Sequence, residues 1–443
     1  MQNYFRSKFG NNFDINSLGY ILFLIGVFLL ASAVGISIIF LLTSVIISFS
    51  QPKGYFKDKW NYPFIFTSAF LLLSTIIHFI NFRDGSFNSI DPKLSVIGLT
   101  NWIPFFLCFW AFQKYLNSQE KRIITGKLLI CGSIPVLFSG LIQLFNINGP
   151  FDIFNGLVIW FQKPISETGS LSGLFNNQNY AGIWMVMTWP FCLCELNKIS
   201  RNPIHKFLII LICIGFTSFI FLTDSRNALL GLLISTPIVL GSSSLIWYLP
   251  SLIIGFTFLA ITVIPIFPES FQIFMQSIIP SRLYTLFPEI GFKYFGSYPR
   301  INKWMAAVKF IGSKPIFGWG AASFPIIYKI QSGEWFGHAH NLPLELAVSY
   351  GIIPSITIFS TFLIILYLAF KKISKYKKTN KDPYLASFQR AWFTSFLIFF
   401  LSHLVDIQYF DVRISLLCWI FLAGLKSFIE EKSINEQDNI LFK

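Results

Sequence analysis

Runs of about 20 apolar residues recur from Leu18 to Ile429. Each is long enough to cross a hydrocarbon core roughly 30 Å thick as a helix. With 54% hydrophobic and only 12% charged residues, the chain is far more apolar than a soluble domain and must be read against a bilayer. The spans read as two short helices within Leu18 to Phe49, then Tyr62 to Ile80, Leu94 to Phe112, Leu128 to Phe145, Tyr180 to Leu196, Phe207 to Thr223, Ala228 to Leu240, Leu245 to Phe267, Leu342 to Phe370, Ala391 to Val405 and Ile414 to Ile429. The expected fold is therefore an all-α polytopic membrane protein of about twelve transmembrane helices. Small residues from Ser32 to Gly35 offer the turn that splits the first run, and no removable signal peptide is expected, since no small-residue cleavage site follows that run.

Lys and Arg are retained on the cytoplasmic side during insertion. The proposed inside segments hold 22 of the 34, which puts both termini in the cytoplasm. Seven of the other 12 fall in one segment, residues 268–340, with only Glu269, Glu289 and Glu334 as acids. A long loop translocates despite such charge. The chain thus divides into helices over 1–267, a long, partly helical extracytoplasmic loop over 268–340, and helices with a cytoplasmic tail over 341–443. The excess positive charge of the loop fits either an anionic lipid surface or an anionic substrate.

The six cysteines all lie inside proposed spans, so no disulfide framework is expected in the loop. No basic-aromatic array suggests nucleic acid. His78, Glu195, His403 and Asp406, near the ends of their spans, read as structural groups reaching an interface or a neighbouring helix. The absence of a row of charges at mid-membrane argues against a proton-coupled pump.

Three places carry chemistry. Arg226, in Thr223-Asp224-Ser225-Arg226-Asn227, stands at a tight outward hairpin where Asp224 or Ser225 can cap the next helix, and a guanidinium held there suits bidentate phosphate binding. Arg300 opens an amphipathic helix whose apolar stripe is Trp304, Ala307, Val308 and Ile311, with Arg300, Lys303 and Lys309 elsewhere on its surface. That helix ends at Gly312 before Lys314-Pro315, and Gly318-Trp319-Gly320 follows as a flexible turn. Finally, His340 precedes Asn341, a plausible N-cap, and Pro343, which suits a first helical turn. The positive end of that helix favours an anion and disfavours an imidazolium, leaving a ring that can accept a proton. His338 with His340 and either Glu334 or Glu345 makes only a weak metal set, and none is expected. Trp319, Trp335 and Phe336 are candidates to stack on sugar.

Gly173-Leu174-Phe175-Asn176-Asn177-Gln178-Asn179, Ser225-Arg226, Arg300 with Trp304 leading to Pro315, Gly318 and Gly320, and His340-Asn341 together resemble the O-antigen ligase family and its polymerase relatives. The resemblance runs from about Gly173 to Gly351. It implies a metal-independent, cofactor-free, inverting glycosyltransferase of the bacterial inner membrane with a GT-C-like helical fold and a periplasm-facing site. The donor would be a glycan on undecaprenyl pyrophosphate, and the acceptor lipid A core or another glycan. Carried across, the family's arginines fall on Arg226 and Arg300 and its histidine on His340. Asn341, His338, Asn179, Trp304, Gly318 and Gly320 are the expected substrate-binding residues, although His338 has no sure counterpart. Ligase, polymerase and protein O-oligosaccharyltransferase share this donor. A solute or bicarbonate transporter is the reading of another class, and it would need a polar route near the bilayer midplane.

Overall fold

A computed structural model describes residues 15–50, 54–82, 90–153, 155–198, 202–264, 267–279, 299–379 and 382–431. Every segment read as a span is helical: α1 Ile15–Leu29, α2 Val34–Ser48, α3 Tyr62–Asn81, α4 Pro92–Leu99, α5 Ile103–Gln113, α6 Gln119–Leu144, α8 Gln178–Leu196, α9 Pro203–Leu222, α10 Arg226–Leu240, α11 Leu245–Val263, α15 Leu342–Tyr350, α16 Ile352–Thr379, α17 Pro383–Ser402 and α18 Val412–Glu430. Seven of these stretches are long and apolar enough to cross a membrane, and α1, α2 and α10 are shorter apolar helices. Two expected spans are each broken in two, at residues 100–102 and at Gly351. Many of the charges that oriented the chain, such as Arg6, Lys8, Arg201 and Lys443, lie outside the described residues, as do Arg282 and Lys293 of the loop.

Burial sorts the helices. In α8 every residue from 181 to 195 is buried, and in α18 every residue from 414 to 428, the pattern of helices that are apolar all round and lie inside a bundle. α10 and α17 pack on α8, and α5 and α16 on α18. By contrast α11 exposes Ile246, Trp247, Leu249, Ile253 and Ile254, an apolar face that fits lipid rather than water. The architecture is that of a mostly helical polytopic membrane protein.

One element departs from the all-helical expectation. Strands β1 Phe151–Ile153 and β2 Val158–Trp160 pair antiparallel, with Phe151 opposite Trp160. Asn155 and Gly156 both adopt positive φ, 53° and 83°, the geometry that an Asn-Gly turn supplies to a tight hairpin. Trp160 Nε1 then donates to Ser32 O at 2.8 Å, fixing the ribbon to the α1–α2 turn.

Residues 299–340 of the long loop form a packed unit. Besides a single turn α7 Ile165–Thr168 earlier in the chain, the loop adds α12 Glu269–Ile278, α13 Pro299–Ser313 and α14 Ser323–Ser332. Ala307, Phe310, Phe324, Ile327, Tyr328, Ala339 and Val348 form its own small core, separate from the main one. The turn after α13 is bonded to the helices: Trp319 N donates to Val348 O at 2.8 Å, Gly320 N to Ser349 O at 2.9 Å, Ile352 N to Pro315 O at 2.8 Å, and Ser74 Oγ to Phe317 O at 2.6 Å. Gly351 makes this approach possible. Its φ is +96°, and a Cβ there would lie 1.9 Å from Ile316 O, so only glycine fits.

Candidate active site

The C-terminal end of α17 and the start of α15 are stitched together by backbone and amide bonds. Leu342 N donates to His403 O at 2.8 Å, and Asn341 Nδ2 to Leu404 O at 2.7 Å. Asn341 Oδ1 accepts from Leu344 N at 2.9 Å, the N-cap expected from the sequence. The buried Glu345 carboxylate turns back to accept from Ala339 N at 2.8 Å. Between these anchors His340 sits at φ +53°, a left-handed conformation that costs energy outside glycine and recurs at functional positions.

That backbone aims the imidazole at Asp406. His340 Nδ1 and Asp406 Oδ1 are 2.8 Å apart, with the side chains 23% and 7% exposed. Asp406 is held in turn: Oδ1 accepts from Ile407 N at 2.9 Å and Oδ2 from Gln408 Nε2 at 2.9 Å. Burial alone pushes its carboxyl pKa up, but the hydrogen bond and charge of His340, with Arg300 and the Ile407 amide, outweigh burial and hold it below the usual range. Asp406, expected to be merely structural, is therefore the partner of the candidate base, and His340 is not surrounded by positive charge alone. An Asp on Nδ1 leaves Nε2 facing away from it, the arrangement in which a carboxylate orients an imidazole for proton transfer.

His338 lies beside this pair. Its Nδ1 accepts from His340 N at 3.1 Å and its ring meets the His340 ring at 4.3 Å between centroids. Burial first, then the nearby His340, lowers its pKa to about 4, with Asp406 opposing, so this imidazole is neutral at neutral pH. His338, His340 and Asp406 each offer a ligand atom, all within 4.8 Å of one another. Two imidazoles and a carboxylate suit a divalent cation, although His338 Nδ1, His340 Nδ1 and Asp406 Oδ1 already bond within the cluster. The third group is Asp406, correcting the expectation of Glu334 or Glu345: Glu345 is bound to Ala339 N and Glu334 is exposed.

α13 closes the cluster. Trp304 Nε1 donates to the His340 carbonyl at 3.3 Å. Arg300, half-buried, acts electrostatically on Asp406, His338 and Lys303. The apolar stripe is rotated from the one expected: Val308 is 58% exposed, whereas Lys303, Ala307 and Phe310 are buried. Lys303 thus belongs to the inward face.

Arg226 begins α10, two residues before the span expected from Ala228, and Ser225 does not cap it. Ser225, the N-cap residue, makes no side-chain cap bond, and its buried Oγ has no partner among the described residues. The Asp224 carboxylate accepts from Ser170 Oγ instead. α10 runs antiparallel to α17, since Ser387 Oγ and Arg390 Nε both donate to Val239 O at 2.9 Å and Gly231 packs on Ile398. Arg226, five residues before Gly231, is therefore level with His403 at the His340 end, and it is exposed. Asn179, in the first turn of α8, is carried beside it, because Gly182 packs on Thr223, Ser225 and Ala228. Its neighbour Tyr180 feels the charges of Asp406 and Asp411.

The structure thus gathers Arg300, Trp304, His338, His340 and Asn341 into one cluster and puts Arg226 and Asn179 on adjacent helix starts. Gly318 and Gly320, with φ of +65° and +99°, sit in the docking turn, where a Cβ on Gly318 would meet the Val348 and Ser349 backbone at 2.6 Å. Trp319 is likewise committed, donating to Phe310 O at 2.8 Å under Lys314. His78 donates to Gly318 O at 3.2 Å and His403 to Phe399 O at 2.7 Å, structural as expected.

Residues 209–359 match the family model described as O-antigen ligase, a segment that contains Arg226, Arg300, His338 and His340. No curated protein matches the chain significantly. Apolar helices long enough to cross a membrane, and a matched segment that holds both histidines and both arginines, make residues 209–359 of this membrane protein similar to the O-antigen ligase family.

Proposed function

We propose that this protein transfers a glycan from undecaprenyl pyrophosphate to lipid A core on the periplasmic face of the bacterial inner membrane. The reading includes a GT-C-like bundle of about twelve crossings with both termini in the cytoplasm. The observation that carries it is the His340–Asp406 pair at 2.8 Å, facing the helix that bears Arg300. His340 Nε2 takes the proton of an acceptor hydroxyl while that oxygen bonds the anomeric carbon. The bond from the anomeric carbon to the pyrophosphate breaks, its electron pair leaving with the phosphate oxygen, and a single displacement inverts the centre. Asp406 positions the ring and stabilises its protonated form. Arg226 and Arg300 bind the diphosphate from two sides, and the helix end at Asn341 adds partial positive charge. The chemistry needs no metal, because the leaving group is stabilised by these cations.

Polymerase and protein O-oligosaccharyltransferase activities share donor and site, and differ in acceptor. A transporter is disfavoured by the position of the titratable cluster at a bundle end. The test is reconstitution with an undecaprenyl-pyrophosphate-linked glycan and EDTA, offering lipid A core, a second lipid-linked glycan and a hydroxyl-bearing acceptor protein separately, with His340→Ala as control. Glycan on lipid A core, lost in the variant, is expected. Extension of the second glycan makes the protein a polymerase, and no transfer to any acceptor, or full activity of His340→Ala, overturns the reading.

A further inference from the structure

Three cationic side chains are buried among the described residues: Arg122, Lys303 and Lys426. Two of them have carboxylate partners. Arg122 donates to Leu116 O at 3.0 Å and pairs with Glu431. Lys426 reaches Gln113 Oε1 at 2.6 Å, Glu430 at 2.8 Å and Asp58 at 3.2 Å. Lys303, only 4% exposed, has neither a hydrogen bond nor an ion pair among the described residues; its Nζ lies 3.3 Å from the centre of the Phe336 ring. A buried charge without a partner is costly, and a cation over an aromatic face recovers only part of that cost. The ring holds the amine in place and leaves its hydrogen-bonding capacity unspent.

The position of this amine is specific. Lys303 is one turn beyond Arg300 on the same face of α13, and its charge is felt by His338 and bears on Asp406 and Glu334. We infer that Lys303 is a third pyrophosphate-binding cation, kept on Phe336 until the donor's phosphates displace the ring as its partner. The inference rests on the function proposed above and extends it. When the glycan leaves, a diphosphate diester becomes a monoester and gains a negative charge. Two arginines match the charge of the donor, and a cation with no ion-pair partner among the described residues is free to answer the charge that develops, which lowers the barrier rather than only tightening binding. A compact ammonium, unlike a planar guanidinium, can turn from a ring to a phosphate oxygen about its flexible stem.

The test uses the full-length protein in liposomes with the undecaprenyl-pyrophosphate-linked glycan, comparing Lys303→Met, Lys303→Arg and Arg300→Ala. Methionine keeps the stem and an aromatic contact, so a lysine that merely packs would be replaced without loss. The expected result is a fall in kcat on the order of 10²-fold for Lys303→Met with the donor KM little changed, and substantial activity for Lys303→Arg. Burial and Arg300 lower the Lys303 pKa, so the alkaline limb of the wild-type rate profile should move upward in Lys303→Arg. Wild-type turnover by Lys303→Met with Arg300→Ala inactive overturns the role of Lys303 alone. Full activity in both overturns the site reading beneath it. Should Lys303→Met not fold, an alkaline limb unmoved in Lys303→Arg overturns the assignment by itself.

Discussion

At the Glu430 end of α18, Lys426 is bonded to Asp58, Gln113 and Glu430, Arg122 is closed against Glu431, and Lys372 Nζ donates to Phe428 O at 2.5 Å and Ile429 O at 3.1 Å. At the Val412 end, about 28 Å away along a 19-residue helix, the charges near the Asp406 loop are arranged otherwise. Asp406 and His340 answer each other, but among the described residues Lys303 has only a ring, and Arg226 stands exposed at a helix start. A network closed by its own ion pairs serves the fold, whereas a cluster in which a buried lysine has no ion-pair partner among the described residues is a candidate to receive an anion.

The comparison can be broken in several ways. The largest effect expected is kinetic: Asp406→Asn should lower glycan transfer on the order of 10²-fold or more while the thermal midpoint stays near that of the wild type, because asparagine retains hydrogen bonds in that place. A variant that instead melts early would make the pair structural. At the other end Lys426→Met should cost about 3–5 kcal/mol of stability by stranding Asp58, with activity per folded molecule unchanged. Adding Asp58→Asn should restore much of the loss in denaturant titrations in detergent, and failure to do so would deny the closed network. Gly351→Ala, with φ +96° and a carbonyl 1.9 Å from the new Cβ, should exceed the 1–3 kcal/mol usual for roughly one strained residue. Gly241→Ala, with φ +94° but only Arg390 near, at 3.6 Å, should stay within about that range. The smallest effect concerns pH. A histidine whose pKa falls from 6.5 to about 4 on folding binds its proton more readily unfolded, so stability declines as pH drops from 6.5 towards 4. In His338→Asn the melting temperature should depend less on pH across that window, and equal slopes would show that His338 is not responsible.

Much of this was legible in the chain. Continuous apolar runs announce helices, and the Asn341-Pro343 signal marks a helix start, because capping and φ restriction are local physics. Asp406 was not legible as a partner of His340. It lies 66 positions along the chain, and only the stitching of α15 to α17 joins them. Lys303 was misplaced for a subtler reason: Val308 and Lys303 compete for the inward face of α13, and a hydrophobicity rule gives the place to valine when a ring is waiting for the lysine. The hairpin at Asn155-Gly156 did carry its turn signature, masked by the apolar residues around it. The helix breaks near Asn101 and at Gly351 were hidden because apolar residues flank both closely.

The turn that binds Val348 and Ser349 has one more consequence. It fastens the trailing end of α13 to α15, and Trp304 fastens its leading half to the His340 carbonyl. Arg300, Lys303 and His340 therefore ride on a single rigid jaw. That jaw is itself fastened to α17 by Leu342 N on His403 O and Asn341 Nδ2 on Leu404 O, and α10, which Arg226 opens, packs on α17. In the proposed reaction a lipid diphosphate would therefore meet cations whose supports are already in register, so alignment is set by the fold before the donor arrives.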